Sequence, residues 1–186
     1  MPLIAGLDIE TTGLDYEKGH RIIEVAASLF DLDSELLLGK FTQRINPQRS
    51  IDPGAQAVHG ISFDDVAGCP LWETVGPKVS ALMRKCDLIV AHNGEGFDLP
   101  FVAHELMRIG APVPNVKVFD TMLQGRWATP LGKLPNLREL CFACGVEYDT
   151  EKAHAADYDV SVMMRAFFVG KRKGFFNVGE LMKETK

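Results

Sequence analysis

Three observations predict one mixed α/β domain around a central five-stranded sheet. Three β-patterned runs stand together in the first quarter of the chain. Helical periodicities then alternate with two short apolar runs, the order of a sheet flanked by helices. The 186 residues contain no linker, internal repeat or low-complexity tract, so a single domain over 1–186, large enough for a full core, is expected.

The elements follow in chain order. Leu3–Ile9 reads as a buried strand. Arg21–Phe30 and Leu36–Ile45 read as two more, joined by the turn-rich "DLDSE", which makes an antiparallel meander. A loop with Asn46-Pro47 and Asp52-Pro53-Gly54 comes next. Leu71–Met83 has helical spacing and Leu88–Ala91 is a short buried strand. Phe97–Arg108 is helical and stops at Gly110, with Pro100 in the first turn, where a missing N–H costs little. Val116–Phe119 supplies the fifth strand, with Asp120-Thr121 as a cap for a following helix. Asn136–Cys144 and Asp157–Val169 are the last two helices.

Composition is that of a globular protein, 46% apolar and 24% charged. The net charge of −5 argues against an unassisted electrostatic grip on nucleic acid or an acidic membrane. Charge is uneven: residues 1–164 hold 14 basic and 23 acidic side chains (−9), residues 165–186 hold 6 and 2 (+4). The run "KRK" (171–173) is either a solvated helix end or a nucleic-acid contact. No apolar run approaches a membrane span and no signal peptide is evident, so no membrane partner and an intracellular, cytoplasmic setting are expected. Four cysteines without disulfide-scaffold density agree with a reducing compartment. "CFAC" (141–144) lacks a second pair at zinc-ribbon spacing. It reads better as a helix with Leu137, Leu140, Cys141 and Cys144 on one face and Gly145 as the stop.

The chemistry concentrates at element ends. In "GLDIETTGL" (6–14), Asp8 and Glu10 stand two apart on a strand and so project to one face. Two carboxylates that close repel unless a proton or a cation lies between them, and a hard divalent cation with oxygen ligands answers this. A solvated strand end is the plainer alternative for this pair alone. "VAHNGEGFDLP" (90–100) places Asp98 at a helix start, and "AHAADYDVS" (153–161) places His154 five positions before Asp159 at the start of another helix. Four acids and one histidine thus share one kind of position.

On these residues the sequence resembles the DnaQ-like 3′–5′ exonucleases, in the DEDDh branch, over most of its length. "DIETTGL" is similar to the family's first motif, "HNGEGFD" to the second and "HAADYD" to the third. The tyrosine branch would want Tyr where Ala155 stands. "VHGIS" (58–62) is similar to a segment that helps hold the terminal nucleotide. The resemblance implies a ribonuclease H-like fold and two Mg2+ or Mn2+ ions. It implies Asp8, Glu10 and Asp159 on one ion, Asp8 bridging to the second with Asp98 acting through its waters, and His154 as general base. It implies substrate contacts by Thr11, Thr12, Gly13, Leu14, His59 and Asn93. The implied substrate is a nucleic-acid 3′ end, single-stranded DNA preferred, with release of 5′-mononucleotides; a DNA polymerase is the implied protein partner. Gly94-Glu95-Gly96 makes the second motif one residue longer than in many bacterial proofreading members, as in the branch with the TREX-type repair enzymes. Proofreading and repair both stay open. Glu95 and Asp157 are extra acids close to Asp98 and Asp159.

Competing readings are an exoribonuclease of the same family, an inactive nucleic-acid-binding module that kept the fold, and a two-carboxylate glycoside hydrolase. The full set of four acids and His154 favours an active nuclease. Phe63, Trp72 and Trp127 are aromatic residues that could stack on bases, the last in the surface loop "GRWATPLGK" (125–133).

Overall fold

The computed structural model describes residues 1–183. The sheet has five strands in the order β3-β2-β1-β4-β5. They are β1 (Leu3–Thr11), β2 (Ile22–Asp31), β3 (Leu37–Arg44), β4 (Leu88–Ala91) and β5 (Val118–Asp120). The first three form the expected antiparallel meander, and β4 and β5 add in parallel on the other side of β1. The helices are α1 (Pro53–His59), α2 (Phe63–Val66), α3 (Trp72–Met83), α4 (Asp98–Arg108), α5 (Leu137–Cys144), α6 (Ala156–Arg172) and α7 (Val178–Lys183).

Alternation along β1 feeds two cores. Ala5, Leu7 and Ile9 pack with Trp72, Val79, Phe101 and Leu106 of α3 and α4. Ile4 packs on the opposite face with Leu140, Val160, Met164 and Phe167 of α5 and α6. Gly6, Asp8 and Glu10 share the face of Ile4. A Cβ on Gly6 would lie 2.6 Å from Met164 Cγ and 3.1 Å from Val160 Cγ1. The missing side chain therefore lets α6 lie directly on β1, which sets Asp159 beside the strand that carries Asp8.

Several expectations are corrected. The stretch read as a loop after Asn46 contains α1 and α2. Both are too short to persist alone. Pro53 opens the first, a Ser62–Asp65 capping box opens the second, and Ile51, Ile61 and Val66 bury against Ile23. The helix expected after Asp120-Thr121 is absent: residues 121–125 form turns and Arg126–Ala128 a single 3₁₀ turn. β1 runs past Ile9 to Thr11, so Glu10 lies inside the strand, and α6 runs on from Val169 to Arg172. Trp72 is fully buried under the sheet, and Trp127 packs on Phe175 and Phe176, so neither ring is free to stack on a base. Phe63 is exposed but lines a separate cavity with Gln48 and Arg49. The "KRK" run ends α6, roughly 18 Å along the helix from Asp159 at ~1.5 Å per residue. There Lys171 and Arg172 pair with Glu35. Cys141 and Cys144 are buried, and each thiol donates to a carbonyl of α6. Among the described residues no helix is long and apolar enough to cross a membrane.

Candidate active site

The site lies where β1 and β4 part. β4 pairs with β1 only from Ile4 to Gly6, which leaves the Ile9 N–H without a strand partner on that side. Asp98, buried at the start of α4, fills the place: its Oδ1 accepts the Ile9 N–H at 3.1 Å. A bulge between Glu10 and Thr11 then turns the end of β1. From the other face, α6 supplies Asp159 in its first turn. Its Oδ2 accepts the His154 N–H at 3.0 Å, and its Oδ1 is buried with no partner. His154 is exposed in the turn before α6, with a left-handed φ of 63°. Asp8, Glu10, Asp98, Asp159 and His154 line one cavity of about 340 Å3, together with Leu14, Asn93 and Phe97.

The electrostatics follow from crowding. Asp8 and Glu10 keep some surface open to the cavity, yet protein encloses most of each. Loss of hydration, then repulsion from Asp98, Glu10 and Asp159, holds the Asp8 carboxyl well above the usual range. Burial, then Asp159 and Glu24, pushes Glu10 up to about 8. Burial pushes Asp98 up to about 7 and raises Asp159, although the Ile9 and His154 N–H groups each pull the other way. Four carboxyl groups thus resist ionising together unless positive charge joins them.

These residues fit a divalent cation. The donors are all hard oxygens, they share one cavity, and Asp159 Oδ1 is a buried acceptor with nothing to accept. Among the described residues no three His, Cys, Asp or Glu side chains converge into a ready-made metal site. Asp98 and Asp159 each turn one oxygen to a backbone N–H instead.

A second cavity, of about 570 Å3, continues past Glu10 and is lined by Thr11, Gly13, Leu14, Val58, His59 and Phe97 among others. Leu14 is 84% exposed, a bare apolar side chain at its edge. His59 Nδ1 accepts the Ile61 N–H at 3.0 Å, so Nε2 carries the proton and donates to the Thr11 carbonyl at 3.2 Å. Burial lowers its pKa, which agrees with a neutral ring; nearby His154 also contributes. Thr12 does not join the lining. It is fully buried, and its Oγ1 accepts the Arg21 N–H and meets His20 Nδ1 at 3.0 Å. Glu95 and Asp157 are exposed and line none of the cavities around the acids.

Sequence reading missed the supports. Asp120, buried at the end of β5, accepts N–H groups from Asn93, Glu95, Met122 and Leu123 at 2.9–3.2 Å. It thereby fixes the β4–α4 loop, including the left-handed Asn93 (φ 65°). The His20 ring lies against Gly13, where a Cβ would sit 2.3 Å from Cε1, and Nε2 is 3.5 Å from Asp52. Asp120 carried a signal, an acid that ends an apolar run. His20 carried none beyond its nearness to the first motif.

A family model described as "Exonuclease" matches residues 5–167. DNA polymerase III subunit epsilon of Rickettsia felis is 31% identical over 186 residues, 96% of this chain and 79% of that one. Escherichia coli Exonuclease I, solved with a dT13 oligonucleotide, superposes with a TM-score of 0.78 at 20% identity, over 94% of this chain and 42% of that one. The chain therefore spans less than half of Exonuclease I. Exonuclease X, solved with 5′-overhanging duplex DNA, superposes with a TM-score of 0.68 at 23% identity, over 96% and 99%.

Proposed function

This chain belongs to the RNase T exonuclease family and is a 3′–5′ exonuclease of ribonuclease H-like fold, and from that premise we propose how its own residues do the work. The observation that carries the reading is that Asp8, Glu10, Asp98, Asp159 and His154 all line one cavity, with Asp159 Oδ1 buried and unpartnered. The family uses divalent metal ions; here the ions are Mg2+ or Mn2+. Asp8, Glu10 and Asp159 would hold one, and Asp8 the other, with Asp98 steadying its waters. Two such ions supply an activated water and offset charge on the phosphate during in-line displacement.

The chain's own groups do the rest. Leu14, Thr11, Gly13 and His59 border the pocket for the 3′-terminal nucleotide, and Asn93 borders the central cavity. The neutral His59 holds the Thr11 carbonyl in place. His154, exposed beside the acids, takes the proton of the attacking water. The substrate is a DNA 3′ end, single-stranded by preference, and the product a 5′-mononucleotide. Proofreading beside a DNA polymerase is the role that the likeness to the epsilon subunit supports.

End-labelled single-stranded DNA, duplex DNA and RNA, each with Mg2+ or with excess EDTA, test this. Mononucleotides should appear from the 3′ end of single-stranded DNA with Mg2+ and not with EDTA. Full activity in EDTA, or efficient cutting of circular DNA, would sink it.

A further inference from the structure

Three adjoining cavities form one trench, and the acids stand in its middle. The central cavity shares Glu10, Leu14 and Phe97 with the terminal-nucleotide pocket. On its other side it shares Asp8, His92, His154 and Asp159 with a third cavity of about 660 Å3, the largest of the three. The exonuclease reading leaves this third space unassigned. A strand whose last nucleotide fills the first pocket passes the acids, and the third cavity adjoins them through Asp8, His92, His154 and Asp159.

The lining there differs from that of the first pocket. Arg138, on α5, borders it and is exposed, with no hydrogen-bond or ion-pair partner among the described residues. Other cations nearby are engaged: Lys133 pairs with Glu139, and Lys152 with Asp149. The Tyr148 ring also borders the cavity, half-buried and edge-on to Tyr158 with centroids 5.9 Å apart, so its place is fixed. A free guanidinium beside a fixed aromatic ring is the lining a nucleotide with its phosphate needs. On a chain of charge −5, it also offsets the acids locally.

We propose that the third cavity binds the nucleotide on the 5′ side of the scissile bond, with Arg138 receiving that nucleotide's 5′-phosphate. The inference rests on the exonuclease reading above and adds the direction in which the strand runs. Arg138 is a substrate-binding group and takes no part in proton transfer.

Three substrates separate the possibilities: pdTpdT, dTpdT, and the p-nitrophenyl ester of thymidine 5′-monophosphate, which has no upstream nucleotide. The wild type with Mg2+ or Mn2+ should cleave pdTpdT about tenfold faster than dTpdT in kcat/KM, since the extra phosphate meets a charged donor. In Arg138→Ala that advantage should vanish, while the nitrophenyl ester is hydrolysed at the wild-type rate. Arg138→Lys should keep part of it. On longer single-stranded DNA the variant should lose about 0.7 from the log–log salt slope, the loss of one phosphate contact. An undiminished preference for pdTpdT in Arg138→Ala, or an equal loss on all three substrates, overturns the proposal. A wild type that cleaves none of the three overturns the exonuclease reading and this inference with it.

Discussion

The acids and the base of this site are held by different kinds of structure. Asp8 and Glu10 lie within β1, pinned between β2 and the layer of α6. Asp98 is locked to the Ile9 N–H, and Asp159 to the His154 N–H. His154 itself stands in an exposed turn, and only its backbone is tied down. The difference follows from the tasks. Ligands that share a cation must keep their spacing to a fraction of an ångström. A base needs only to reach one proton once the substrate is seated.

Removing an acid should therefore have the largest effect. Asp8→Ala deletes the carboxylate most crowded by its neighbours. Activity should fall to background and Mg2+ or Mn2+ binding should weaken in calorimetry. The protein should stay folded, because no core volume is lost. Wild-type metal affinity in this variant would break the contrast, since the acids would then not act as one site.

His154→Ala should cost less, about 10²–10⁴ in turnover, the range for a lost general base. Metal binding should be unchanged, and the residual rate should rise toward higher pH as hydroxide replaces the base. If the variant loses metal as fully as Asp8→Ala, His154 is a ligand and the contrast fails.

The same contrast sorts what the sequence made legible. Asp8, Glu10, Asp98 and Asp159 were visible because an apolar pattern breaks into charge at each of them, although Asp8 and Glu10 lie within β1 and not at its end. The meander and the mixed sheet were visible from strand periodicity. The supports were not, because their partners lie far along the chain. Asp120 organises residues 25 and 27 positions earlier. Gly6 matters only because α6, some 154 residues later, lies on it. Helices α1 and α2 escaped notice because tertiary burial, not local periodicity, holds such short segments. Thr12 was read as a substrate contact; its side chain is buried and engaged in the turn's own hydrogen bonds.

Gly6→Val sharpens the comparison at an intermediate size. The new side chain meets Met164 and Val160 and moves α6 off β1. Overpacking of this kind costs about 1–3 kcal/mol. A shift near 1 Å in Asp159 should lower turnover by about 10²-fold, with Asp8 and Glu10 still in place. Thermal melting and kinetics check both parts. Full activity in a destabilised variant would show that the register of α6 on β1 does not set the site.

The smallest effect is on stability and comes from the acids alone. An unfolded Glu10 titrates near 4.5, whereas the folded carboxyl is pushed up to about 8, first by burial and then by Asp159 and Glu24. Between those values the folded chain keeps a proton that the unfolded chain has released. Stability of the metal-free protein must then fall as pH rises through that window. Asp98, pushed up to about 7, acts in the same direction. For a chain of this size each kcal/mol moves the melting temperature by roughly 2–4 °C, so Tm in EDTA should drop by several degrees between pH 5 and pH 8. Glu10→Gln removes one titrating group and should flatten part of that slope. Mg2+ at pH 8 should raise Tm of the wild type, because a cation favours the ionised acids and binds the folded state. The Gln variant should gain less, having lost a ligand. An identical pH slope in the wild type and Glu10→Gln would mean that Glu10 is solvated in the absence of metal, and the crowded-carboxylate account of the site would not stand.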